Sequence, residues 1–195
     1  MDDSFNDDQG VKWMLAFQAG SEPAFDRLVE TYSGQVYALF TRFLGQVPER
    51  EDLVQEVFMR VLRSRERYTP TARFSTYLYR VSFNLAVNHT ERNKHARSLD
   101  EGAPDEGARN AATDEDGDPI HKLETDDVVH AVRSAIAALP QTQRMALILA
   151  KYEELSFAEI AVVLGSSEKA IKSLVHRARE SLRERLKPFL EKELA

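Results

Sequence analysis

Basic and hydroxyl side chains share one face of a helix predicted near the end of the chain. Apolar residues recur along this helix at the spacing of a single buried face: Ile171, Leu174, Val175, Ala178 and Leu182. The opposite face then carries Lys172, Ser173, His176 and Arg177. These residue types can donate hydrogen bonds to base edges and phosphates in a DNA major groove. Considered alone, this group is more typical of an ordinary solvated basic face.

The residues before this helix predict a partner helix at a tight turn. Ser156 and Glu159 form a capping box, in which the serine accepts from the backbone NH of the glutamate and the carboxylate reaches back. This pattern predicts a short helix over 157–164, ended by a glycine, and then a longer helix capped by a serine. Ala161 is small enough for two helices to pack closely. The pair matches a helix-turn-helix, which can place its second helix in the major groove.

A second polar group lies on a predicted helix in the first third of the chain. Asp52, Gln55 and Glu56 are three and four residues apart, so they form one compact patch. An apolar face lies opposite and consists of Leu53, Val54, Val57, Phe58 and Val61. Two acids and an amide could pair with arginines on a partner helix. The simpler alternative is a solvated polar face.

A third group mixes aromatic, amide and basic residues in the segment that follows Pro70. Aromatic rings can stack on unpaired bases, amides can bind a flipped base, and arginines can bind phosphates. Several of these aromatics must belong to the core, and we expect Leu78 and Phe83 there. The better candidates for nucleic-acid contact are Arg80, Asn84, Asn88 and Arg92. Tyr77 can either stack on a base or pack in the core.

These side chains need helices to position them, and no stretch shows the alternation of a strand. The sequence therefore predicts an all-α chain with two small helical domains, at 9–97 and 128–187. The predicted helices of the first lie at about 8–19, 21–44, 49–65 and 75–94. Those of the second lie at about 128–139, 144–152, 157–164 and 167–187. No pattern predicts how the two domains are arranged relative to each other.

The segment between the domains, 98–127, has the composition of an acidic flexible linker. It has 11 acidic residues against two basic ones, with glycines, prolines and few large apolar residues. Such a segment repels itself and cannot form a core. Its Asp114, Asp116 and Asp118 resemble part of a calcium loop. However, Pro119 stands where that loop needs glycine and Thr125 where it needs glutamate, so we expect a linker and no metal site.

Composition limits the classes of function. The net charge is −6, but the acids concentrate at the start of the chain and in 98–127, so both domains are mildly basic and permit a polyanion partner. The five histidines lack metal-ligand spacing, and no phosphate loop or nucleophile motif occurs, so we expect no enzyme activity, metal or cofactor. No cysteine, secretory start or membrane-length apolar run occurs, which favours a cytoplasmic location without membrane insertion.

In this order, the motifs resemble the extracytoplasmic-function (group 4) sigma factors of the bacterial sigma-70 family, over about 12–96 and 128–187. The resemblance is carried by EDLVQEVF at 51–58, FSTYLYRVSFN at 74–84, AALP at 137–140, LSFAEIA at 155–161 and RARESL at 177–182. Three positions depart from the family pattern. Tyr77 replaces a usual tryptophan, Ala170 a usual threonine and Leu174 a usual arginine. The changes at Ala170 and Leu174 bear on promoter preference more than on the fold, whereas the tyrosine at 77 can still stack or pack.

The resemblance implies a transcription initiation subunit with two DNA-reading domains. The first domain would bind the clamp of core RNA polymerase and then melt and recognise the −10 promoter element. The clamp residues would be Asp52, Gln55 and Glu56, and the single-strand residues would be Tyr77, Arg80, Asn84, Asn88 and Arg92. The second domain would contact the polymerase flap and read the duplex −35 element through Lys172, Ser173, His176 and Arg177. An anti-sigma factor is the further partner implied.

Two other functions remain open at this point. One is a stand-alone helix-turn-helix transcriptional regulator, although residues 9–97 show neither the βα alternation nor the pattern of a sensor domain. The other is an adaptor that binds only an anti-sigma protein, against which the basic recognition helix argues.

Overall fold

The computed structural model describes residue 5 and residues 7–99 and 119–193, with side-chain surroundings for residues 5, 7–95 and 128–189. This part of the chain is all helical, which confirms the predicted fold class. The helices are α1 (Gln9–Gln18), α2 (Glu22–Leu44), α3 (Arg50–Arg63), α4 (Phe74–Leu99), α5 (Pro119–Ala137), α6 (Gln141–Tyr152), α7 (Phe157–Leu164) and α8 (Glu168–Glu193). A 3-10 turn, Arg65–Arg67, follows α3.

Helices α1 to α4 form the first body and α5 to α8 the second. One aspartate joins the beginnings of two helices in the first body. Asp8 is the N-cap of α1, and its Oδ1 accepts from the backbone NH of Val11 at 2.9 Å. The same oxygen accepts from the backbone NH of Phe74 at 3.3 Å, at the first residue of α4. Helix N-termini leave backbone donors without partners inside the helix. Asp8 therefore satisfies one such donor in each helix and holds α4 against α1.

The core of the first body is built from aromatic rings carried by α1, α2 and α4. Phe17, Phe40, Phe43 and Phe74 are fully buried. The Tyr32 and Phe74 ring centroids are 5.0 Å apart, a separation at which tilted rings attract each other beyond simple burial. Leu78 and Phe83 are also buried, as the sequence predicts. This core fixes the side of α4 that faces inward.

In the second body, α5, α6 and α7 all pack against α8. The guanidinium of Arg144, on α6, donates to the carbonyls of Ala137 and Leu139, the second at 3.2 Å. The Ala137 carbonyl is the last of α5 and the Leu139 carbonyl lies two residues beyond it, so the arginine caps this end of the helix. Helix α6 starts at Gln141, earlier than the predicted 144, because Pro140 can occupy its N-cap without a lost donor.

The helices extend into both ends of the predicted linker. Helix α4 runs to Leu99, and α5 begins at Pro119, so 98–99 and 119–127 have helical backbone. Proline is favoured at the first helical position, where its missing NH costs nothing. Acid-rich composition does not forbid a helix, since glutamate is a good helix former. Residues 100–118, including the three aspartates compared with a calcium loop, lie outside the described residues.

The two bodies are in contact. Helix α7 packs on α4, and α6 packs on α2. One continuous cluster of buried apolar side chains includes Phe43 and Leu85 of the first body and Met145 and Ile160 of the second. The helix-turn-helix is therefore packed, through α7, against α4, which carries the candidate single-strand residues.

Two glycines provide a test of how α1 packs against α4, since their substitution by alanine should have opposite effects. A Cβ at Gly10 would collide with the Tyr32 hydroxyl oxygen and would lie 2.7 Å from Cβ of the buried Phe74. We expect Gly10→Ala to lower the free energy of unfolding by about 1–3 kcal/mol through overpacking. At Gly34, within α2, a Cβ meets no described atom within 4 Å. Gly34→Ala should raise the free energy of unfolding by about 0.5–1 kcal/mol. Chemical denaturation measures both, and a shift of the same sign would contradict the packing of α1 against α4.

Candidate nucleic-acid and protein interfaces

The basic face of α8 lies where the sequence predicts it. Ile171, Val175 and Ala178 are buried, while Leu174 and Leu182 are half-buried. Lys172, His176 and Arg177 are exposed and Ser173 is half-buried. The ammonium of Lys172 lies 2.9 Å from Oε1 of Glu168, one turn earlier. Such exposed pairs contribute at most about 1 kcal/mol. A DNA phosphate can therefore compete for this lysine.

The turn before α8 is held by local hydrogen bonds. The Ser156 hydroxyl accepts from the Glu159 backbone NH at 3.2 Å, and the Glu159 carboxylate accepts from the Ser156 backbone NH at 2.9 Å. This confirms the predicted capping box. Gly165 ends α7 with φ of 61°, a left-handed conformation that favours glycine. Ser167 then caps α8 by accepting from the backbone NH of Ala170 at 3.2 Å. These contacts fix the angle at which α8 leaves α7.

Four of the predicted single-strand residues form a line along α4. Arg80, Asn84, Asn88 and Arg92 are all exposed. They follow one another at intervals of four residues, which keeps them on one side of the helix. The line is about 18 Å long at 1.5 Å per residue. The line has a cationic residue at each end and two amides at its centre. This arrangement suits a nucleic-acid strand whose phosphates contact the ends and whose bases lie between them.

Tyr77 has a different environment from these four residues. Its side chain is half-buried, and its hydroxyl forms a 2.7 Å hydrogen bond with the Ser64 hydroxyl. Its ring meets Tyr68 edge-on, with centroids 5.2 Å apart. Tyr77 is therefore held in an aromatic cluster, and of the two roles left open by the sequence, packing is the one visible in the structure.

A cavity of about 310 Å³ lies next to this cluster. Its lining includes Arg67, Tyr68, Thr71, Tyr77, Arg80 and Val162. Arg67 and Thr71 are additional candidates, because they line this cavity from the loop before α4. The sequence motif covers only the helix. The two arginines at 65 and 67, just before the aromatic segment, were the signal in the sequence that could have indicated this loop. Val162 comes from α7, so the second body contributes one wall of the cavity.

The polar patch of α3 is present, but its members differ. Asp52 and Gln55 are exposed, whereas Glu56 is half-buried and accepts from Arg60 Nε at 3.0 Å and Arg63 Nη1 at 3.4 Å. The hydrogen bond from Arg60 is the main reason that the pKa of Glu56 is lowered, followed by the charge of Arg63. Glu56 is therefore ionised and already paired within its own helix.

The exposed side of α3 continues into apolar residues that the sequence did not single out. Met59 and Leu62 are 43% and 39% exposed. They follow Gln55 at four and seven residues, so the same side is polar at its start and apolar at its end. An interface that combines hydrogen bonds with apolar burial fits this surface better than polar contacts alone.

In residues 7–95 and 128–189, no group of three histidine, aspartate or glutamate side chains is placed to bind a metal ion. Among the described helices, none is long and apolar enough to cross a membrane.

Comparison with known families matches both bodies separately. Residues 28–96 match the family described as Sigma-70 region 2, and residues 130–182 match Sigma-70, region 4. The chain is 33% identical over 174 residues to the ECF RNA polymerase sigma factor SigW of Bacillus subtilis, which covers 86% of this chain and 91% of the relative. It is also 32% identical to the RNA polymerase sigma-H factor of Pseudomonas aeruginosa, over 89% of this chain and 91% of that one. This chain belongs to the extracytoplasmic-function sigma factors.

Solved structures of sigma factors share its fold. The sigma factor RpoE of Bartonella quintana, solved in complex with the anti-sigma factor NepR, superposes with a TM-score of 0.68 at 20% identity, over 84% of this chain and 96% of that chain. CnrH, solved in complex with the cytosolic domain of CnrY, gives a TM-score of 0.65 at 23% identity, over 93% and 99%. At these identities the likeness concerns the fold.

Family membership decides between the functions left open by the sequence. A stand-alone regulator does not need the first body, whereas the sigma region 2 match covers α3 and most of α4. The region 4 match contains α6, α7 and the basic face of α8. Sigma factors are not enzymes; they direct RNA polymerase. Both matched regions therefore carry the candidate interfaces, and residues 97–129 lie outside them.

The capping box gives a local test of how the sigma factor positions its recognition helix. Ser156→Ala removes the acceptor for the Glu159 backbone NH, so the free energy of unfolding should fall by about 1 kcal/mol. Ser156→Thr retains the hydroxyl and should recover most of that loss. Chemical denaturation followed by circular dichroism measures both variants. Equal stability of Ser156→Ala and the parent chain would show that the box contributes nothing to α7.

Proposed function

We propose that this sigma factor directs promoter-specific transcription initiation by binding core RNA polymerase and recognising the −10 and −35 promoter elements. The observation that carries this proposal is the distribution of three exposed surfaces over two matched regions: the patch and apolar end of α3, the line on α4 and the basic face of α8. In this proposal, residues 9–97 form the polymerase-binding and −10 domain, and residues 128–187 form the −35 domain.

The α3 side supplies the contact with the polymerase clamp. Asp52 and Gln55 can accept and donate hydrogen bonds to arginines of a partner helix, while Met59 and Leu62 provide apolar area for burial. Glu56 has a secondary role, because its carboxylate is already held by Arg60 and Arg63. Its contribution is to orient these two arginines and to reduce the positive charge at this end of the patch.

The α4 line and the adjacent cavity supply the site for the melted −10 strand. Unstacking a base costs a few kcal/mol, so strand capture requires contacts that exist only after the base leaves the duplex. Asn84 and Asn88 can bind base edges, and Arg80 and Arg92 can bind phosphates. The cavity beside Tyr77 has polar groups from Arg67 and Thr71 and an aromatic wall, which is the chemistry of a pocket for an extruded base.

The α8 face supplies the reading of the duplex −35 element. Lys172 and Arg177 can contact guanine or phosphate, and Ser173 and His176 can donate to base acceptors. Leu174 replaces the arginine usual in the family and is half-buried, so it brings no charge to the groove. With fewer cations, the salt dependence of −35 binding should be shallow, since its slope follows the number of phosphates neutralised.

We further propose that the protein acts in the cytoplasm, without catalytic activity of its own, and that an anti-sigma factor controls it. The two related folds were solved as complexes with NepR, which is an anti-sigma factor, and with the cytosolic domain of CnrY. The surfaces of α3, α4 and α8 are exposed in the free chain, so a protein that covers them would block polymerase or promoter binding.

The clamp contact can be tested with a triple variant, Asp52→Ala, Gln55→Ala and Glu56→Ala. We expect affinity for core polymerase to fall at least about tenfold, because charge-assisted hydrogen bonds across the interface are lost. Among the single variants, Glu56→Ala should have the smallest effect. A matched control replaces Asp26, Glu30 and Gln46, which are also exposed and give the same change in charge. Fluorescence anisotropy with labelled protein measures the affinity. Wild-type affinity in the folded α3 triple variant would exclude this patch.

The two DNA-reading surfaces should fail at different steps of initiation. Arg177→Ala should weaken binding to the duplex −35 element by about 1–3 kcal/mol if it contacts a base. Asn84→Ala and Asn88→Ala should still form the closed complex but accumulate less open complex. Permanganate footprinting measures opening, and Asn93→Ala is a matched control, since Asn93 is an exposed amide on another side of α4.

A pre-melted template separates these two effects. With this template, Arg177→Ala should regain little open complex, because its defect lies in duplex recognition. The asparagine variants should form more open complex than they do on ordinary duplex. The division between the surfaces is wrong if the pre-melted template restores Arg177→Ala while the asparagine variants open ordinary duplex fully.

A further inference from the structure

The two bodies share an apolar cluster, and one acidic residue adds a buried polar contact between them. Glu153 lies in the turn between α6 and α7, and its side chain is only 10% exposed. Its carboxylate accepts from Arg42 Nη1 of α2 at 2.9 Å and from the Tyr79 hydroxyl of α4. Burial, followed by the hydrogen bond to Glu153, raises the pKa of Tyr79 above its ordinary value. The tyrosine therefore stays protonated and acts as the donor. We call Arg42, Tyr79 and Glu153 the clasp.

Other groups from both bodies support the clasp. The Arg42 guanidinium also lies 4.7 Å from the ring centroid of Tyr152, so it binds the same turn by a cation–π contact. Arg144 of α6 donates to the carbonyl of Phe43 at 2.8 Å, at the end of α2. The Arg144 guanidinium is 5.3 Å from the Phe43 ring. The turn and the start of α6 are therefore both attached to the first body.

The clasped arrangement is too compact for the two promoter elements. Compact helical bodies of about 60–90 residues are each roughly 30 Å across, so two in direct contact span at most roughly 60 Å. Elements 25 base pairs apart lie about 85 Å apart along straight duplex, at 3.4 Å per base pair. Bodies in direct contact cannot reach both elements at once. In addition, Val162 of α7 forms part of the cavity beside Tyr77 and Arg80, where it narrows access to the proposed −10 site.

We propose that Arg42 and Tyr79 hold Glu153 to keep the free sigma factor closed, and that release of this clasp is required before both promoter elements are engaged. This inference rests on the proposed function for its consequence, although the clasp itself is a property of the free chain. The apparent affinity of a protein for its partner falls in proportion to the fraction in the competent state. The closed form therefore lowers the affinity for polymerase and promoter without any inhibitor.

The chain is well suited to a distance measurement because it has no cysteine. Glu30→Cys on α2 and Glu184→Cys on α8, both at exposed positions, accept spin labels on the two bodies. Double electron–electron resonance should give a narrow, short distance distribution for the otherwise unchanged chain. Glu153→Gln should shift the distribution to longer and broader distances, with the open fraction raised on the order of tenfold, because charge-assisted hydrogen bonds are lost.

A matched control keeps this test specific. Glu22→Gln removes an ion pair with the same 2.9 Å separation, between Glu22 and Arg65 within the first body. It should leave the distance distribution unchanged. Tyr79→Phe is the second clasp variant, since it removes only the hydroxyl and retains the buried ring. Circular dichroism verifies that each variant is folded, and Tyr79→Phe replaces Glu153→Gln in the test if the latter is not.

The full initiation complex supplies the second readout. With core polymerase and promoter DNA, the distance between the two spin labels should increase to the value of the open form. Glu153→Gln should reach the same maximal transcription at about a tenfold lower concentration. The proposal is overturned if both clasp variants keep the short distance, or if the distance stays short in the active complex. Absence of promoter-specific transcription by the wild-type chain with core polymerase would instead overturn the proposed function. The distances in the free chain would still report on the clasp.

Discussion

The structure depends on one helix, α4, whose sides have three different environments: the core of the first body, the turn of the second body and the exposed surface. Around α4, Phe74 and Leu78 face the core of the first body, Tyr79 reaches the turn of the second, and Asn84 belongs to the exposed line. A helix turns by 100° per residue, so each neighbour receives one side. Because the buried aromatics fix the rotation of α4, they also fix where its exposed residues point. Asp8 adds a hydrogen bond to the start of this helix, which holds the orientation at the end where the cavity lies.

Features of the sequence that depend on neighbouring residues predicted the structure well. The capping box at Ser156 was correct to the residue, and Phe83 is buried, as expected for part of the aromatic segment. Contacts between distant residues could not be predicted in this way. Glu153 stands 111 positions from Arg42, and nothing in either surrounding segment indicates the other. The start of α5 at Pro119 was not predicted, because the segment has the composition of a flexible linker, although proline is favoured at the first position of a helix.

Internal ion pairs moderate the charges of the candidate interfaces. Lys172 pairs with Glu168 on α8, and Glu56 pairs with Arg60 on α3. Both pairs are at least one-third exposed, so each contributes little to stability and exchanges readily for a partner charge. For Lys172, a phosphate replaces a carboxylate, and the change in its surroundings is small. For Glu56, a polymerase arginine would have to compete with two arginines on the same helix. Glu56 is therefore less available than Lys172 to a partner of opposite charge.

The turn that carries Glu153 also contains a backbone conformation that is costly by itself. Glu154 has φ of 52°, a left-handed value that non-glycine residues adopt at a cost of order 1 kcal/mol. Such a conformation persists only where surrounding contacts determine it. Those contacts are the Leu155 backbone NH, which donates to the Leu149 carbonyl at 3.2 Å, and the two donors bound to Glu153. The first lies within the second body and remains when the bodies separate, while the other two cross between them. Opening the clasp therefore removes two of the contacts that hold the turn. The closed state is held by these polar contacts together with the apolar cluster that the two bodies share, so the binding energy of a polymerase interface must offset both contributions to open it.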